Sequence, residues 1–173
     1  MRPVLETPRL HLRPLAATDL ADLVRLDLDP EVMRYVGSPA GVRTPPETEA
    51  RARARIRESV EGTLDPLGLW RIEAREDRAF CGIGALLAMP EGSDVEVAYR
   101  LARTAWGRGL ATEAAGALVA HGLHTLGLAR LVAVTYPDNL ASQRVLDKLG
   151  FARRGLTEYK GVRATFHVLA RQD

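Results

Sequence analysis

The chain of 173 residues contains a single cysteine, Cys81. One cysteine cannot form an internal disulfide bond, and such bonds hold many small secreted domains together. We therefore expect a cytoplasmic protein that is stabilised by its hydrophobic core. Neither a histidine nor a helix start lies beside Cys81 in the sequence to activate its thiol, so we interpret it as a structural residue and not as a nucleophile.

Long apolar runs and clusters of metal ligands are also missing. No apolar stretch approaches the roughly 18 residues that a membrane-spanning helix needs. The opening residues MRPVLETPRL lack the apolar region of a signal peptide. Without a long apolar stretch, we expect no membrane partner. The histidines are scattered along the chain, so we expect no metal site. His121 and His124 have no carboxylate or cysteine nearby in the sequence and are interpreted as structural or surface residues.

The chain is also poor in aromatic residues and in excess charge of one sign. Its net charge is +2 at pH 7, and aromatic residues make up 5% of it. Nucleic-acid-binding surfaces usually combine a strong basic excess with aromatic platforms, so we expect no nucleic-acid partner. A basic run contains Arg51, Arg53, Arg55 and Arg57 and has few large apolar neighbours. We interpret it as the solvated face of a helix that packs weakly and is mobile or partly exposed.

A hydrophobic share of 46% is enough for one sizeable core, and we expect a single domain spanning residues 1–173. Apolar periodicity predicts strands at 9–15, 69–74, 81–88, 95–101 and 131–135, and a closing hairpin of 151–159 and 162–169. It predicts helices at 20–28, from the capping box at 44–47 to about Gly62, after the glycine turn at 107–109, and before Gly150. Segment 31–41 is predicted as a loop or a short helix. Gly82 and Gly84 indicate a bulge or a close neighbour within their strand. This order predicts an α/β (α+β) domain with a mixed sheet.

The stretch at 95–112, VEVAYRLARTAWGRGLAT, joins a strand, a glycine turn and a helix. Gly107 and Gly109 allow the backbone to turn sharply and to approach a ligand closely. No capping side chain precedes the helix, so its first N–H groups are available to an anion. We interpret 106–112 as a phosphate cradle, with a simple tight connection as the alternative.

Two common phosphate loops do not match this turn. A Walker loop ends in Gly-Lys-Ser/Thr, and the turn contains no lysine. A dinucleotide fingerprint needs a third glycine where Thr112 stands, and it follows the first strand of a βαβ unit. The predicted cradle is therefore of another type.

A second informative stretch, PDNLASQRVLDKLGF at 137–151, follows the strand at 131–135. Together the two stretches resemble the GNAT superfamily of acyl-CoA-dependent N-acetyltransferases, and they look most like its RimJ/RimL-type branch, which includes ribosomal-protein N-terminal acetyltransferases. Gly109 and Ala111 match the small positions of the family's pyrophosphate loop, whereas Trp106 stands where Gln or Arg is usual. The family's later signature is matched by Asn139, Ser142, Lys148, Gly150 and Phe151. Because TPRLHLRPL and DPEVMRYVG are also similar to that branch, the resemblance covers nearly the whole chain.

The resemblance implies a GNAT fold, with a mixed, mostly antiparallel sheet of about six or seven strands that is splayed at the CoA site and flanked by helices. It implies direct transfer of an acetyl group from acetyl-CoA to an amine. The pyrophosphate would lie on the 106–112 turn, the pantetheine arm beside the strand near Tyr99, and Asn139 on the pantetheine side. The expected CoA-binding residues are Tyr99, Leu101, Trp106, Gly107, Arg108, Gly109, Leu110, Ala111, Thr112, Asn139 and Ser142.

Two residues are candidate catalytic groups. Glu96 stands where many relatives carry a catalytic glutamate and would remove a proton from the amine; the alternative is an ordinary polar position on a half-exposed strand. Many relatives protonate the leaving thiolate with a tyrosine, but that slot falls at Leu146, which cannot donate a proton. Ser142, one helical turn earlier, is similar to a serine that RimJ/RimL-type proteins place near the CoA sulfur.

Three functions are weighed on these observations: an N-acetyltransferase, a CoA-binding sensor or interaction module without activity, and, most weakly, a nucleic-acid binder. The acceptor would be a protein or peptide N-terminal amine or a small-molecule amine. Arg34, Arg43 and the arginines of 51–57 lie in the half that covers the acceptor side in relatives, where they would repel a polycation such as an aminoglycoside. We therefore expect an amine on a neutral or acidic body. The sequence leaves homodimer formation open.

Overall fold

The computed structural model describes residues 2–36 and 44–172. Within them the chain forms eight strands: β1 (Leu5–Glu6), β2 (Leu10–Pro14), β3 (Gly68–Ala74), β4 (Phe80–Ala88), β5 (Val95–Leu101), β6 (Arg130–Thr135), β7 (Ala152–Tyr159) and β8 (Val162–Ala170). It also forms five α-helices: α1 (Leu20–Leu28), α2 (Pro30–Met33), α3 (Pro45–Glu61), α4 (Leu110–Ala120) and α5 (Leu140–Lys148). Helix α2 begins the segment that was predicted as a loop or short helix; the rest of that segment from residue 37, and Arg43, lie outside the described residues.

The strands form one sheet in the order β1-β2-β3-β4-β5-β6-β8-β7. Neighbouring strands are antiparallel except β5 and β6, which are parallel. The predicted mixed, mostly antiparallel sheet is therefore confirmed. It has eight strands instead of about six or seven, because β1 is too short to show a periodicity in the sequence.

The sheet opens at its parallel pair. In the described part of the chain, β5 and β6 are joined through one pair of residues, Glu96 and Val132. In contrast, β4 and β5 are paired along the whole of β5, from Val95 to Leu101. The residues of β5 beyond Glu96 and of β6 beyond Val132 therefore border a gap in the sheet.

Helices cover both faces of this sheet and enclose two cores. On the face of α4 and α5, the core includes Trp70, Ile72, Val97, Leu118 and Leu131. On the face of α1 and α3, it includes Leu23, Leu26, Ala52, Ile56 and Ile83. Successive residues of a strand point to opposite faces, so β5 presents its odd-numbered residues to α4 and its even-numbered residues to the other side. None of the helices described is long and apolar enough to cross a bilayer.

Helix α3 begins at the predicted capping box. The backbone N–H and the hydroxyl of Thr44 each donate to Glu47 at 2.8 Å, and Gly62 closes the helix with a φ of 70°. The outer side is exposed, as the arginine run indicated, but the expectation of weak packing is wrong for the inner side. Small and medium side chains make that side a buried stripe, which consists of Thr48, Ala52, Ile56 and Ser59.

The glycines of β4 mark both a bulge and a close approach, as expected. The register between β3 and β4 shifts at Ile72/Glu73, opposite Gly82. A Cβ on Gly82 would overlap the carbonyl oxygen of Arg100, and one on Gly84 would lie 2.7 Å from Leu118 Cδ1. These two positions let β5 and α4 pack directly against the backbone of β4.

Candidate active site

The turn between β5 and α4 forms an uncapped helix start. Gly107 and Gly109 both have a φ of 73°, a left-handed conformation that costs other residues about 1–2 kcal/mol. Gly109 is the N-cap of α4, and no side chain caps this helix. The first N–H groups of α4, from Leu110 to Thr112, therefore remain available for a phosphate group.

Two side chains brace this turn from behind. The Trp106 indole N–H donates to the carbonyl of Leu101 at 2.8 Å and fastens the turn to the end of β5. The Arg9 guanidinium donates to the carbonyl of Arg108 at 2.9 Å and pairs with Glu113 in the first turn of α4. Burial acts to raise the pKa of Glu113, but hydrogen bonds from Thr7 and Arg9 outweigh it and lower that pKa. Arg9 and Glu113 carry no sequence signal, because they come together across about a hundred residues.

Backbone groups of β5 line the gap in the sheet. Ala102 donates its N–H to the carbonyl of Cys81 on the β4 side at 2.9 Å. In an antiparallel ladder, alternate residues bond to the partner and those between them direct their N–H and C=O groups the other way. Tyr99 and Leu101 therefore turn their backbone groups towards the gap. Since the carbonyl of Leu101 accepts the indole of Trp106, the Tyr99 peptide groups and the Leu101 N–H are the ones that an added strand could use.

On the α4/α5 face of β5, a pair of hydroxyl groups lies beside the gap. The Tyr99 hydroxyl is 2.9 Å from Ser142 Oγ and 3.3 Å from the carbonyl oxygen of Ser142. Burial raises the pKa of Tyr99 to about 12, although its hydrogen bond with Ser142 opposes this shift. Asn139 is the N-cap of α5 and accepts the N–H of Ser142 at 3.2 Å, which fixes Ser142 in the first turn.

On the opposite face of β5, Glu96 is half-buried and receives a hydrogen bond from the Tyr159 hydroxyl at 2.8 Å. Burial raises the pKa of Glu96, and the hydrogen bond from Tyr159 and the positive charge of Lys160 offset part of the rise. Burial and the Glu96 carboxylate in turn raise the pKa of Tyr159, so this hydroxyl remains a protonated donor at neutral pH. Tyr159 belongs to β7 and was not predicted; it is 63 positions away from Glu96, so local pattern gives no signal for it.

The same face of β5 also carries a cationic cluster. Arg100 and Arg55 bind the two oxygens of Asp27 at 3.0 and 2.6 Å, respectively. The side chain of Asp27 is 2% exposed, and those of the two arginines are 11% and 13% exposed. Two arginines share one aspartate, so this cluster has a net positive charge.

The other arginines of the predicted acceptor lining are placed differently. Arg51, Arg53 and Arg57 are on the exposed side of α3, and Arg53 pairs there with Glu49. Arg34 lies over the ring of Tyr35, with its guanidinium carbon 5.3 Å from the ring centroid. Of the four arginines in the run at 51–57, Arg55 is thus the one that points towards β5.

The described residues hold no group of three or more His, Cys, Asp or Glu side chains that could bind a metal ion. Cys81 is buried, and this burial raises the pKa of its thiol. His121 is buried with its ring edge-on to Trp70, whereas His124 is exposed. These placements are consistent with the interpretation of Cys81 as a structural residue and of His121 and His124 as structural or surface residues.

The predicted site residues thus fall into three groups around one gap. The 106–112 turn lies at the start of α4, Tyr99 and Ser142 meet on one face of β5, and Glu96 lies on the other face. Asn139 contacts Ser142 by capping α5. Leu146 is buried in the core, in keeping with the absence of a tyrosine donor at that position.

Comparisons with known proteins bear on the family and the fold of this chain. Residues 9–152 match a family model described as acetyltransferase (GNAT) domain. The N-acetyltransferase YoaA of Bacillus subtilis, itself uncharacterized, is 32% identical over 158 residues, which cover 90% of this chain and 86% of that protein. An acetyltransferase structure from Agrobacterium tumefaciens superposes with a TM-score of 0.81 at 26% identity, covering 98% of this chain and 95% of the other.

The fold is also that of the RimL ribosomal L7/L12 α-N-protein acetyltransferase in complex with coenzyme A. The TM-score is 0.77 at 19% identity, with 97% of this chain and 98% of the other covered. At this identity the likeness concerns the fold alone.

Proposed function

Because this chain belongs to the GNAT acetyltransferase family and is an acyl-CoA-dependent N-acetyltransferase, we propose that it acetylates a primary amine on a neutral or acidic body, with Glu96 as the base. The observation that carries this proposal is the placement of Glu96 and of the Tyr99–Ser142 pair on opposite faces of β5, beside the single gap described in the sheet. An amine and a thioester can then approach the same point from two sides.

The residues around the gap fit coenzyme A. The uncapped start of α4 offers N–H groups to a pyrophosphate, and the left-handed glycines keep side chains out of its way. The backbone of Tyr99 and Leu101 offers pairing to an extended amide chain. When bound, acetyl-CoA supplies the acetyl group as a thioester. A backbone N–H at the gap would then bind the carbonyl oxygen, whose negative charge grows in the transition state.

Glu96 is the proposed base that removes a proton from the acceptor amine. An alkyl amine is mostly protonated at neutral pH and must lose its proton before it can attack. A carboxylate whose pKa is raised by burial is a stronger base than an exposed one, and general-base help is typically worth about 10²–10⁴-fold. One C–N bond forms and one C–S bond breaks. The ammonium first loses one proton to Glu96, which passes it to solvent, and the second proton that the nitrogen loses on forming the amide balances the leaving thiolate.

The Tyr99–Ser142 pair is proposed to stabilise the leaving thiolate. When Tyr99 donates to Ser142 Oγ, the serine proton is free to point towards a sulfur in the gap. A thiol with a pKa of about 8.5 leaves tolerably well as a thiolate, so we assign a smaller effect to this pair than to Glu96.

The proposed acceptor class follows from charge. Arg100 shares a face of β5 with Glu96 and lies four residues further on, about 13 Å along the strand. The cluster of Arg55, Asp27 and Arg100 is positive overall and would attract a carboxylate on the acceptor while repelling a polyamine. A peptide N-terminus followed by an acidic residue has this combination of groups.

A panel of amines tests the proposal through thiol release from acetyl-CoA. The matched peptides Ala-Asp-Ala and Ala-Lys-Ala, together with kanamycin and spermidine, separate the acceptor classes. We expect kcat/KM for Ala-Asp-Ala to exceed that for Ala-Lys-Ala by about tenfold, which corresponds to about 1.4 kcal/mol. A preference for kanamycin or spermidine would contradict the acceptor class, and an acidic limb of the pH–rate profile that survives Glu96→Gln would contradict the base.

A further inference from the structure

The β7–β8 hairpin reaches across the sheet to the candidate base. In the sheet, β8 and β6 separate β7 from β5, so three strand spacings would place β7 about 14 Å from β5. Yet the Tyr159 hydroxyl lies 2.8 Å from Glu96 Oε2. Tyr159 is also displaced along the strands, because Glu96 is level with Val168 of β8 through Val132, whereas Tyr159 pairs with Val162, six residues or about 20 Å away. Two side chains cannot span both offsets, so the tip of the hairpin must bend out of the sheet towards β5.

The bend has a local cause in β7. The register with β8 shifts between Arg153 and Gly155, and Gly155 has a φ of 114°. A bulge of this kind bends a strand and increases its twist. Residues 152–156 are exposed, whereas Thr157 and Tyr159 are half-buried. The part of β7 beyond the bulge is thus the part that packs back onto the site.

The tip itself is a tight turn. Lys160 and Gly161 have φ values of 52° and 76° between the paired residues Tyr159 and Val162. Two successive residues with positive φ are typical of the type I′ turn, whose twist matches that of the flanking strands. Tyr159 is the last residue of the ladder before this turn, and the Lys160 ammonium lies 4.7 Å from the centroid of its ring.

We propose that Tyr159 is a positioning residue for acetyl transfer, which holds one oxygen of the Glu96 carboxylate and leaves the other oxygen to the acceptor amine. This inference rests on the proposed role of Glu96 as the base. It adds the β7–β8 hairpin to the acceptor side of the site.

A base that must face the gap gains from such a group. A glutamate on a strand rotates about three side-chain bonds, and a fixed hydrogen bond to one oxygen selects the orientation in which the other faces the gap. The same bond favours the ionised carboxylate, which burial disfavours. On the neighbouring strands, Glu96 lies between Leu87 and Val132, which are apolar. In the described part of the chain, Tyr159 and Lys160 are thus the polar groups that lower the pKa of Glu96 against the effect of burial.

The test combines a titration with kinetics. Carbon-13 NMR follows the glutamate carboxyl carbons of the free protein with pH, and the resonance lost in Glu96→Gln identifies Glu96. In Tyr159→Phe we expect the pKa of Glu96 to rise by roughly 0.5–1 unit, because burial then acts with less opposition. The acidic limb of kcat with acetyl-CoA and Ala-Asp-Ala moves to higher pH by the same amount.

Two further readouts separate positioning from charge. Tyr159→Phe should lower kcat on the pH plateau several-fold and leave KM for acetyl-CoA unchanged, because the cradle at α4 is untouched. Lys160→Asn removes the positive charge but keeps the Tyr159 hydroxyl, and asparagine tolerates the left-handed conformation at position 160. It should raise the pKa of Glu96 with a smaller loss of plateau kcat than Tyr159→Phe.

The outcomes distinguish this inference from the function on which it rests. If Glu96→Gln abolishes the acidic limb while Tyr159→Phe leaves the titration and the plateau unchanged, Tyr159 has no positioning role and the base is retained. If the acidic limb survives Glu96→Gln, the base is misassigned and the role of Tyr159 falls with it. Equal plateau losses in Tyr159→Phe and Lys160→Asn would also overturn the positioning role.

Discussion

Among single residues, Gly109 offers the sharpest test of the phosphate cradle. A Cβ at this position would have ordinary contact with Arg9, 3.6 Å away, so a substitution acts through backbone strain and through the space in front of α4. We expect Gly109→Ala to weaken coenzyme A binding at least about tenfold, or about 1.4 kcal/mol, as measured by calorimetry.

The control is Gly92, in the turn between β4 and β5. It has a φ of 81°, and a Cβ there would meet nothing within 4 Å. Gly92→Ala therefore imposes similar strain away from the site and should leave the affinity for coenzyme A unchanged. Equal affinities of the two variants would show that the cradle does not bind the cofactor.

Glu96 and Ser142 should differ in how much each contributes to kcat. Glu96→Gln is expected to lower kcat by about 100-fold or more, because the protonated amine loses its base. Ser142→Ala should cost less than about tenfold, because a thiolate is a tolerable leaving group. If Tyr99 acts through Ser142, the double variant Tyr99→Phe/Ser142→Ala should be no worse than the more damaging single variant. A larger effect of Ser142→Ala than of Glu96→Gln would reverse these roles.

At the scale of elements, two arginines of α3 form a matched pair for measuring what holds this helix in place. Arg55 binds the buried Asp27 of α1, whereas Arg53 pairs with Glu49 on the same helix surface, where both side chains are largely exposed. Arg55→Ala leaves a buried carboxylate with one arginine fewer and should lower the free energy of unfolding by roughly 2 kcal/mol or more. Arg53→Ala should change it by less than about 0.5 kcal/mol. Urea unfolding measures both, and equal effects would mean that the Asp27 cluster does not anchor α3.

Elements with a local signature were predictable from the sequence, and contacts between distant elements were not. The alternation in β5, the capping box at Thr44 and the closing hairpin of 151–159 and 162–169 depend on neighbouring residues and are found as predicted. Strand β1 was not predicted, because two residues are too few to show a periodicity. The inner side of α3 escaped because Ala52 and Thr48 do not form an obvious apolar stripe.

The site shows the same division. The glycines of the cradle are a local signal, and they placed the start of α4 correctly. Asn139 was predicted as a match to the family signature, and its role as the N-cap of α5 came from the structure. The partners Arg9 and Tyr159 reach the site only after the sheet has formed, and the bend that delivers Tyr159 depends on a bulge in β7. Sequence pattern alone therefore gave the backbone of the candidate site but not the side chains that brace it.

For the whole molecule, two buried histidines predict how stability depends on pH. Burial lowers the pKa of His121 and of His167, and a nearby Arg153 lowers that of His167 further. The unfolded chain therefore binds protons below about pH 6.5 that the folded chain does not, and stability falls as pH falls through that value. Each histidine contributes at most about 1.4 kcal/mol per pH unit. The pKa values of Asp19 and Glu73 are also lowered, so these carboxylates act in a more acidic window.

The prediction is tested by urea unfolding at pH 7.5 and 5.5. His121→Phe keeps an aromatic ring beside Trp70 and should reduce the loss of stability between these two pH values. His124→Phe, at an exposed position, should leave that loss unchanged. An identical pH dependence in the wild type and in His121→Phe would show that His121 does not remain neutral in the folded protein.

In the residues that the structure describes, one pair joins β5 to β6, and this weak connection also bears on how long the enzyme persists. The two parts of the sheet on either side of this pair share a core beneath α4, and we expect them to open separately at less than the cost of global unfolding. A ligand lying in the gap binds both parts, and at a hundredfold excess over its Kd it adds about 2.7 kcal/mol to stability. Amide hydrogen exchange in β6 should slow when coenzyme A is present, and uniform exchange with and without it would exclude this coupling. Proteases that act on opened chains would then remove the enzyme faster when coenzyme A is scarce, so that its abundance follows the supply of its own co-substrate.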